Sequence, residues 1–296
     1  MCGIVGLFLK DPKLEPECGA LLSVMLASMS SRGPDSAGFA IYGDAPAGSV
    51  KLTVSAPDMD FAKLGAEAGK AAGAKIGVSA RDTHGVLAVP REAEARVRAF
   101  LEGRGVRIVS GGQRMEIYKE VGEPADVARR FGLEKMGGTH AIGHTRMATE
   151  SAVTTNGAHP FTTGADQCLV HNGSLSNHNL WRRNLRREGI AFETDNDSEV
   201  AAGYLTWRLH QGRSLSDALS DTLGDLDGFY TFVVGTERGF GVLRDPIACK
   251  PAIMAETDEF VAFGSEYRAL VDLPGIAKAR VWEPSPATPY FWERAA

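Results

Sequence analysis

Long apolar runs, paired cysteines and a dominant charge are all missing from this chain, and each absence narrows what it can be. The only apolar run near the start, Ile4 to Leu9, has no basic segment before it and is too short for a signal core or a membrane span. A cytoplasmic protein is therefore expected. The four cysteines, Cys2, Cys18, Cys168 and Cys249, are scattered and form no C-x-x-C pair, so zinc, iron–sulfur and dithiol redox chemistry are not expected in this chain. Of the seven histidines, His140, His144, His159 and His171 lie close in sequence, but their spacings repeat no metal-ligand pattern, and roles in a polar network are expected. A net charge of −5 with no basic or acidic tail argues against a nucleic-acid binder. With 296 residues, the chain can bury a large core as one domain with an insertion or as two domains.

What is present begins at residue 2. A small residue after the initiator methionine generally permits its removal, which would leave Cys2 with a free α-amine. A free thiol has a pKa of roughly 8.5 and an α-amine one of roughly 8, so such a residue is a nucleophile carrying its own base. Behind it, CGALLSVMLASMSSRG spaces Leu21, Leu22, Met25, Leu26 and Met29 as one helix face ending near Gly33-Pro34. Ser31 to Gly38 then turns into a strand at Phe39 to Tyr42, and places Arg32 and Asp35 where they can support the amino terminus.

Residues from about 44 to 138 read as a small α+β insertion. It has helices at Phe61 to Ala74 and Arg91 to Gly103, and strands at Ile76 to Ser79, Val106 to Ser110 and Met115 to Val121. From Thr139, three segments carry polar residues at the ends of buried apolar runs, where strand ends build sites. Arg146 offers a two-pronged cation for a carboxylate. Asn172-Gly173 offers a side-chain amide and a backbone N–H open to close approach, the parts of an oxyanion hole, and also suits a turn. Asp197 offers an anion for an ammonium group, or a helix cap ahead of Glu199 and Val200. One charge of each sign, an oxyanion hole and a nucleophile with a built-in base together fit an α-amino acid bearing an acyl group. Arg182, Arg183, Arg186 and Arg187 are expected to form a basic helix face, solvated or, as the alternative, a docking surface.

In this order, CGIVG, RGPDSAG, GHTRMAT, HPF, HNG, TDNDSEV, RDPIACKP and FGSEYRAL resemble the class II glutamine amidotransferases, over roughly residues 2 to 43 and 139 to 271. The resemblance implies an amino-terminal-nucleophile hydrolase fold, a four-layer αββα sandwich of class α+β, filling residues 2–275 with a carboxyl-terminal segment at 276–296. It makes Cys2 the nucleophile, Asn172 and Gly173 the oxyanion hole, Arg146 and Asp197 the ligands of the glutamine carboxylate and α-ammonium, and Thr149 a further pocket residue. Met147 and Glu150 stand where many relatives carry an aromatic residue and a histidine or small residue. The 22 residues after Pro274 are too few for a synthase. The arrangement is similar to the amidotransferase subunit of a glutamate-synthase-like complex such as N-methylglutamate synthase, whose large partner would bring FMN and an iron–sulfur cluster, with none in this chain. The insertion and the aromatic segment Trp282 to Trp292 are the candidate docking surfaces. A stand-alone hydrolase of another γ-glutamyl amide, or a non-catalytic scaffold if Met1 is retained, are the alternatives.

Overall fold

The computed structural model describes residues 2–148 and 152–294. The chain runs β1 (Gly3–Leu9), α1 (Cys18–Ser28), β2 (Ser36–Tyr42), β3 (Ser49–Ser55), α2 (Phe61–Ala72), β4 (Gly77–Arg81), β5 (His84–Pro90), α3 (Glu94–Gly103), β6 (Arg107–Gly112), β7 (Met115–Val121), α4 (Pro124–Phe131) and β8 (His140–Arg146). It continues β9 (Phe161–Gly164), β10 (Gln167–Leu175), α5 (His178–Arg187), α6 (Asp197–His210), α7 (Leu215–Asp225), β11 (Gly228–Gly235), β12 (Gly239–Arg244), β13 (Ile253–Glu256), β14 (Phe260–Gly264), β15 (Arg280–Trp282) and β16 (Tyr290–Glu293).

Two sheets stack between helical layers. The first has the order β15-β13-β14-β1-β8-β2-β7 and the second β16-β12-β11-β10-β9. The period-2 alternation of a strand explains why β1 is buried along its whole length. Val5, Leu7 and Leu9 face α1 in one core, and Ile4 and Phe8 face the second sheet in another with Val170, Val233 and Phe263. A third core lies between the second sheet and α5 to α7. This is the expected αββα sandwich.

The small sheet, β4-β5-β3-β6 with α2 and α3 on it, has its own core and occupies Ser49–Gly112 of the expected 44–138 span. The rest of that span belongs elsewhere: β7 pairs with β2, and α4 packs its buried face into the core of the first sheet. The carboxyl-terminal segment ties both sheets at their edges, β15 on β13 and β16 on β12. Trp282, Tyr290 and Trp292 pack on the inter-sheet core, Trp292 stacking on Phe240 at 5.4 Å, while Phe291 is 46% exposed. Most of this aromatic cluster is thus occupied by the domain itself.

Candidate active site

β1 starts beside the end of β8, with Gly3 opposite Thr145, so the strand pairing delivers Cys2 to the neighbourhood of Arg146. Two donors hold the Cys2 carbonyl oxygen: Arg32 Nε at 2.9 Å and Asn172 Nδ2 at 3.1 Å. The buried Arg32 guanidinium is held in turn by Glu266, and Glu266 also meets Arg268 at 2.8 Å. Two residues further in, Ile4 N–H donates to Ser265 Oγ at 2.9 Å, and Ser265 N–H returns a bond to Ile4 O at 2.9 Å. The backbone is therefore pinned at the Cys2 carbonyl and again at Ile4, and the Cys2 thiol lies 3.9 Å from Met147 O.

Asp35 builds that opposite wall. Its N–H donates to Arg146 O at 3.1 Å and its Oδ2 accepts from Ala148 N–H at 2.8 Å, so Asp35 clasps the backbone on either side of Met147, with its own backbone on one side and its carboxylate on the other. Gly33 is required just before it, since a Cβ there would lie 2.5 Å from the Thr145 carbonyl carbon. The buried Arg146 contributes Nη1 to Ala152 O at 3.3 Å. Thr149, Glu150 and Met1 lie outside the described residues.

Asn172 and Gly173 do not form a turn. They sit inside β10, opposite Thr231 and Tyr230 of β11, where Asn172 points toward the first sheet. Gly173 has φ +153°, and a Cβ would fall 2.0 Å from Phe229 O, so only glycine fits there. Asp197 is not the helix cap: Asn196 is, with its side chain accepting from Ser198 N–H at 2.8 Å. This frees the Asp197 carboxylate, whose Oδ2 accepts from Leu175 N–H at 2.9 Å while the side chain stays partly exposed. The third polar segment is thus a loop feeding α6 rather than a strand end.

Two residues outside the expected set shape the Asp197 loop. Arg182 is buried rather than solvated: Nη1 and Nη2 donate to Thr194 O at 2.6 Å and Asn196 O at 3.0 Å, and its guanidinium lies 5.2 Å over the Phe192 ring. Desolvation dominates the downward shift of its pKa. Glu199 accepts from the N–H groups of Glu193 and Thr194, both at 2.8 Å, from within the first turn of α6. The sequence did carry a hint in the apolar Trp181 and Leu185 beside Arg182, which turn that helix face inward. Nothing in the spacing marks the two carbonyls it meets, those of Thr194 and Asn196.

Beneath the site lie three buried histidines. His144 and His159 stack at 3.9 Å between ring centroids, and His144 Nε2 is 3.1 Å from His171 O. Burial pushes His144 down to about 3 and His159 well below the ordinary histidine value, and lowers His171 against the opposing pull of the Asp197 carboxylate, so the rings are neutral near pH 7. A polar network, as expected, is their role.

A family model for the glutamine amidotransferase domain matches residues 144–272. Over 99% of its length the chain is 63% identical to a glutamine amidotransferase-like protein, GlxB, of Rhizobium meliloti (strain 1021), spanning 98% of that relative. The chain belongs to the class II glutamine amidotransferases. It is 30% identical to the amidophosphoribosyltransferase of Methanocaldococcus jannaschii across 58% of this chain and 37% of that one. A solved structure of the glutamine phosphoribosylpyrophosphate amidotransferase of B. subtilis, complexed with ADP and GMP, shares the fold with a TM-score of 0.59 at 19% identity, over 99% of this chain and 49% of that one. As a class II amidotransferase the chain is a glutamine-hydrolysing enzyme on an amino-terminal-nucleophile fold. Among the described residues no helix is long and apolar enough to cross a membrane.

Proposed function

We propose that Cys2, freed of Met1, hydrolyses glutamine through a thioester and that the ammonia passes to a glutamate-synthase-like partner in the cytoplasm, such as the remainder of an N-methylglutamate synthase. The observation that carries the chemistry is the pairing of Arg32 and Asn172 on the Cys2 carbonyl, which holds the nucleophile against the Asn172 amide. In this reading the α-amine takes the thiol proton, and sulfur adds to the side-chain amide carbon of glutamine. The second N–H of Asn172 and the Gly173 N–H meet the oxyanion. The C–N bond then breaks, the α-ammonium returns its proton to the leaving nitrogen, and ammonia departs. Water attacks the thioester, the α-amine acting again as base, and releases glutamate. Arg146 and Asp197 hold the two charged ends of the substrate, with Thr149 completing the pocket; Arg32 and Asp35 support the nucleophile and the Met147 wall.

Two substitutions separate binding from chemistry. Asn172→Ala is expected to lower kcat by about 10²- to 10³-fold, as loss of an oxyanion donor does. Arg146→Lys is expected to raise KM by roughly 10- to 150-fold, because an ammonium cannot copy a two-pronged contact. Steady-state kinetics with glutamine check both, and wild-type constants in either would refute that residue's role.

The partner reading draws support from contacts that β6 of the small sheet and β7 at the edge of the first sheet make with the segments around 154–156 and 193. Arg107 of β6 bonds Glu193 at 2.7 Å, on the segment leading to Asp197, and also bonds Asn156. Glu120 of β7 accepts from Thr155. A protein docked on the small sheet would therefore touch, through Arg107, the segments that lead to Asp197 and that follow Arg146. FMN and an iron–sulfur cluster belong to that partner in this reading. Amide-¹⁵N glutamine, supplied with unlabelled ammonia and any co-purifying flavoprotein, is expected to label the aminated product. Product nitrogen drawn from the free ammonia, with glutaminase activity indifferent to the flavoprotein, would leave a stand-alone hydrolase.

A further inference from the structure

The hydroxyl of Ser198, at the start of α6, lies where three groups compete for it. His159 Nε2 is 2.8 Å away, His171 Nδ1 is 2.9 Å away and Asp197 Oδ1 is 3.4 Å away. A hydroxyl has one proton to give and two lone pairs to offer, and a neutral imidazole donates through one nitrogen only. His144 settles its own tautomer, because a carbonyl can only accept: Nε2 must donate to His171 O, leaving Nδ1 as a bare lone pair. Among the described residues, His159 Nδ1 and His171 Nε2 are likewise buried without a partner.

Three proton arrangements are open to neutral rings. If Ser198 donates to His171, the unpartnered His171 Nε2 must carry a proton; if it donates to His159, the unpartnered His159 Nδ1 must. Each strands an N–H in the protein interior, which folded proteins avoid more strictly than a bare lone pair. In the third arrangement both imidazoles donate to Ser198 Oγ, every unpartnered ring nitrogen is a lone pair, and the hydroxyl proton goes to Asp197. His171 Nδ1 and Asp197 Oδ1, 3.8 Å apart, would form an ion pair only with a protonated ring, and burial of His171 opposes that. The neutral arrangement is the one the geometry favours.

We propose that Ser198 is a positioning residue for substrate recognition: His159 and His171 commit its proton to Asp197, which orients that carboxylate toward the α-ammonium of glutamine. The inference rests on the reading of Asp197 given above. With Leu175 N–H on Oδ2 and Ser198 on Oδ1, each carboxylate oxygen has one fixed donor and the outward lone pairs are left for the substrate.

The test compares glutamine with glutaramate, the same amide and carboxylate without the α-amino group. Ser198→Ala is expected to raise KM for glutamine roughly 3- to 10-fold, the scale of one hydrogen bond, with kcat nearly unchanged and with kcat/KM for glutaramate unmoved. The glutaramate rate doubles as the control for folding. Should the alanine protein not fold, Ser198→Cys keeps the volume and replaces a strong donor by a weak one, and its effect should have the same direction and the same selectivity. Equal losses on both substrates, or no loss on either, would overturn the proposal by reducing Ser198 to packing. Asp197→Asn serves as reference. If it does not discriminate between the two substrates, the reading of Asp197 itself fails; if it does while Ser198→Ala does not, only the positioning role falls.

Discussion

Replacing Cys2 with alanine is expected to lower kcat for glutamine by more than about 10⁴-fold, since no other group in the site can form the thioester and loss of a nucleophile typically removes nearly all covalent catalysis. The remaining cysteines make the assignment clean. Cys18 and Cys168 are buried, and desolvation pushes their thiols up to about 12, so they stay protonated and unreactive at neutral pH. Cys249 is exposed and is the one competitor for labelling. A glutamine analogue carrying an electrophilic ketone should therefore modify Cys2 in the native protein, and glutamine should protect it. Cys249→Ser should leave both labelling and turnover unchanged. Intact mass gives the second half of the experiment: active protein should lack Met1, because a retained methionine would lock the nitrogen of Cys2 in a peptide bond and remove the base. Wild-type turnover in the Cys2→Ala protein, or full activity with Met1 in place, would sink the mechanism.

The groups of the proposed site stand out in the sequence because they differ in chemistry, although only Cys2 and Arg146 lie at strand ends, while Asn172 and Gly173 sit inside β10 and Asp197 opens α6. Strand β7 could be read residue for residue as Met115–Val121, since Met115, Ile117 and Lys119 alternate with Glu116, Tyr118 and Glu120 across a sheet. That same alternation hid Lys119, a buried amine whose contacts to Ala158 O and Pro160 O come from 39 and 41 residues away. β5 escaped notice because His84 to Pro90 lies between β3 and β4 in the small sheet and is largely buried on both faces, which leaves no polar alternation. Asn172-Gly173 carries the composition of a turn, and only the pairing with β11 turns it into a strand. The partners of Arg182 and Ser198 were invisible for a further reason. Their roles are set by partners on other elements, the 194–196 loop for one and two histidines for the other, and no local pattern encodes such a meeting.

Acid should unfold this protein at a pH where most of its carboxylates are still ionised, the second large effect the structure implies. Burial holds His140 and His144 down to about 3 and His84 to about 4, against an ordinary value of 6.5. Below pH 6.5 the unfolded chain takes up protons at these rings while the folded chain refuses them, so unfolding is coupled to proton uptake and stability falls as the pH falls. The contribution is complete above about 6.5 and is lost progressively down toward 3 to 4. Each ring carries about 1.4 kcal/mol per pH unit inside that window, so the three together give about 4 kcal/mol per unit. A domain stable by about 5 to 15 kcal/mol cannot sustain that slope for long, and the transition is expected between roughly pH 4 and 5.5. Urea midpoints measured at half-unit intervals from pH 7 to 4.5 would show it. In His140→Gln, an amide can keep the donor that His140 Nε2 directs at Thr236 O, 2.8 Å away, while removing the titration. Its slope should therefore be shallower by about 1.4 kcal/mol per pH unit even if its stability at pH 7 is lower. A midpoint that stays flat from pH 7 to 5 would mean the rings take up protons in the folded state, and would contradict the neutral network beneath the glutamine site.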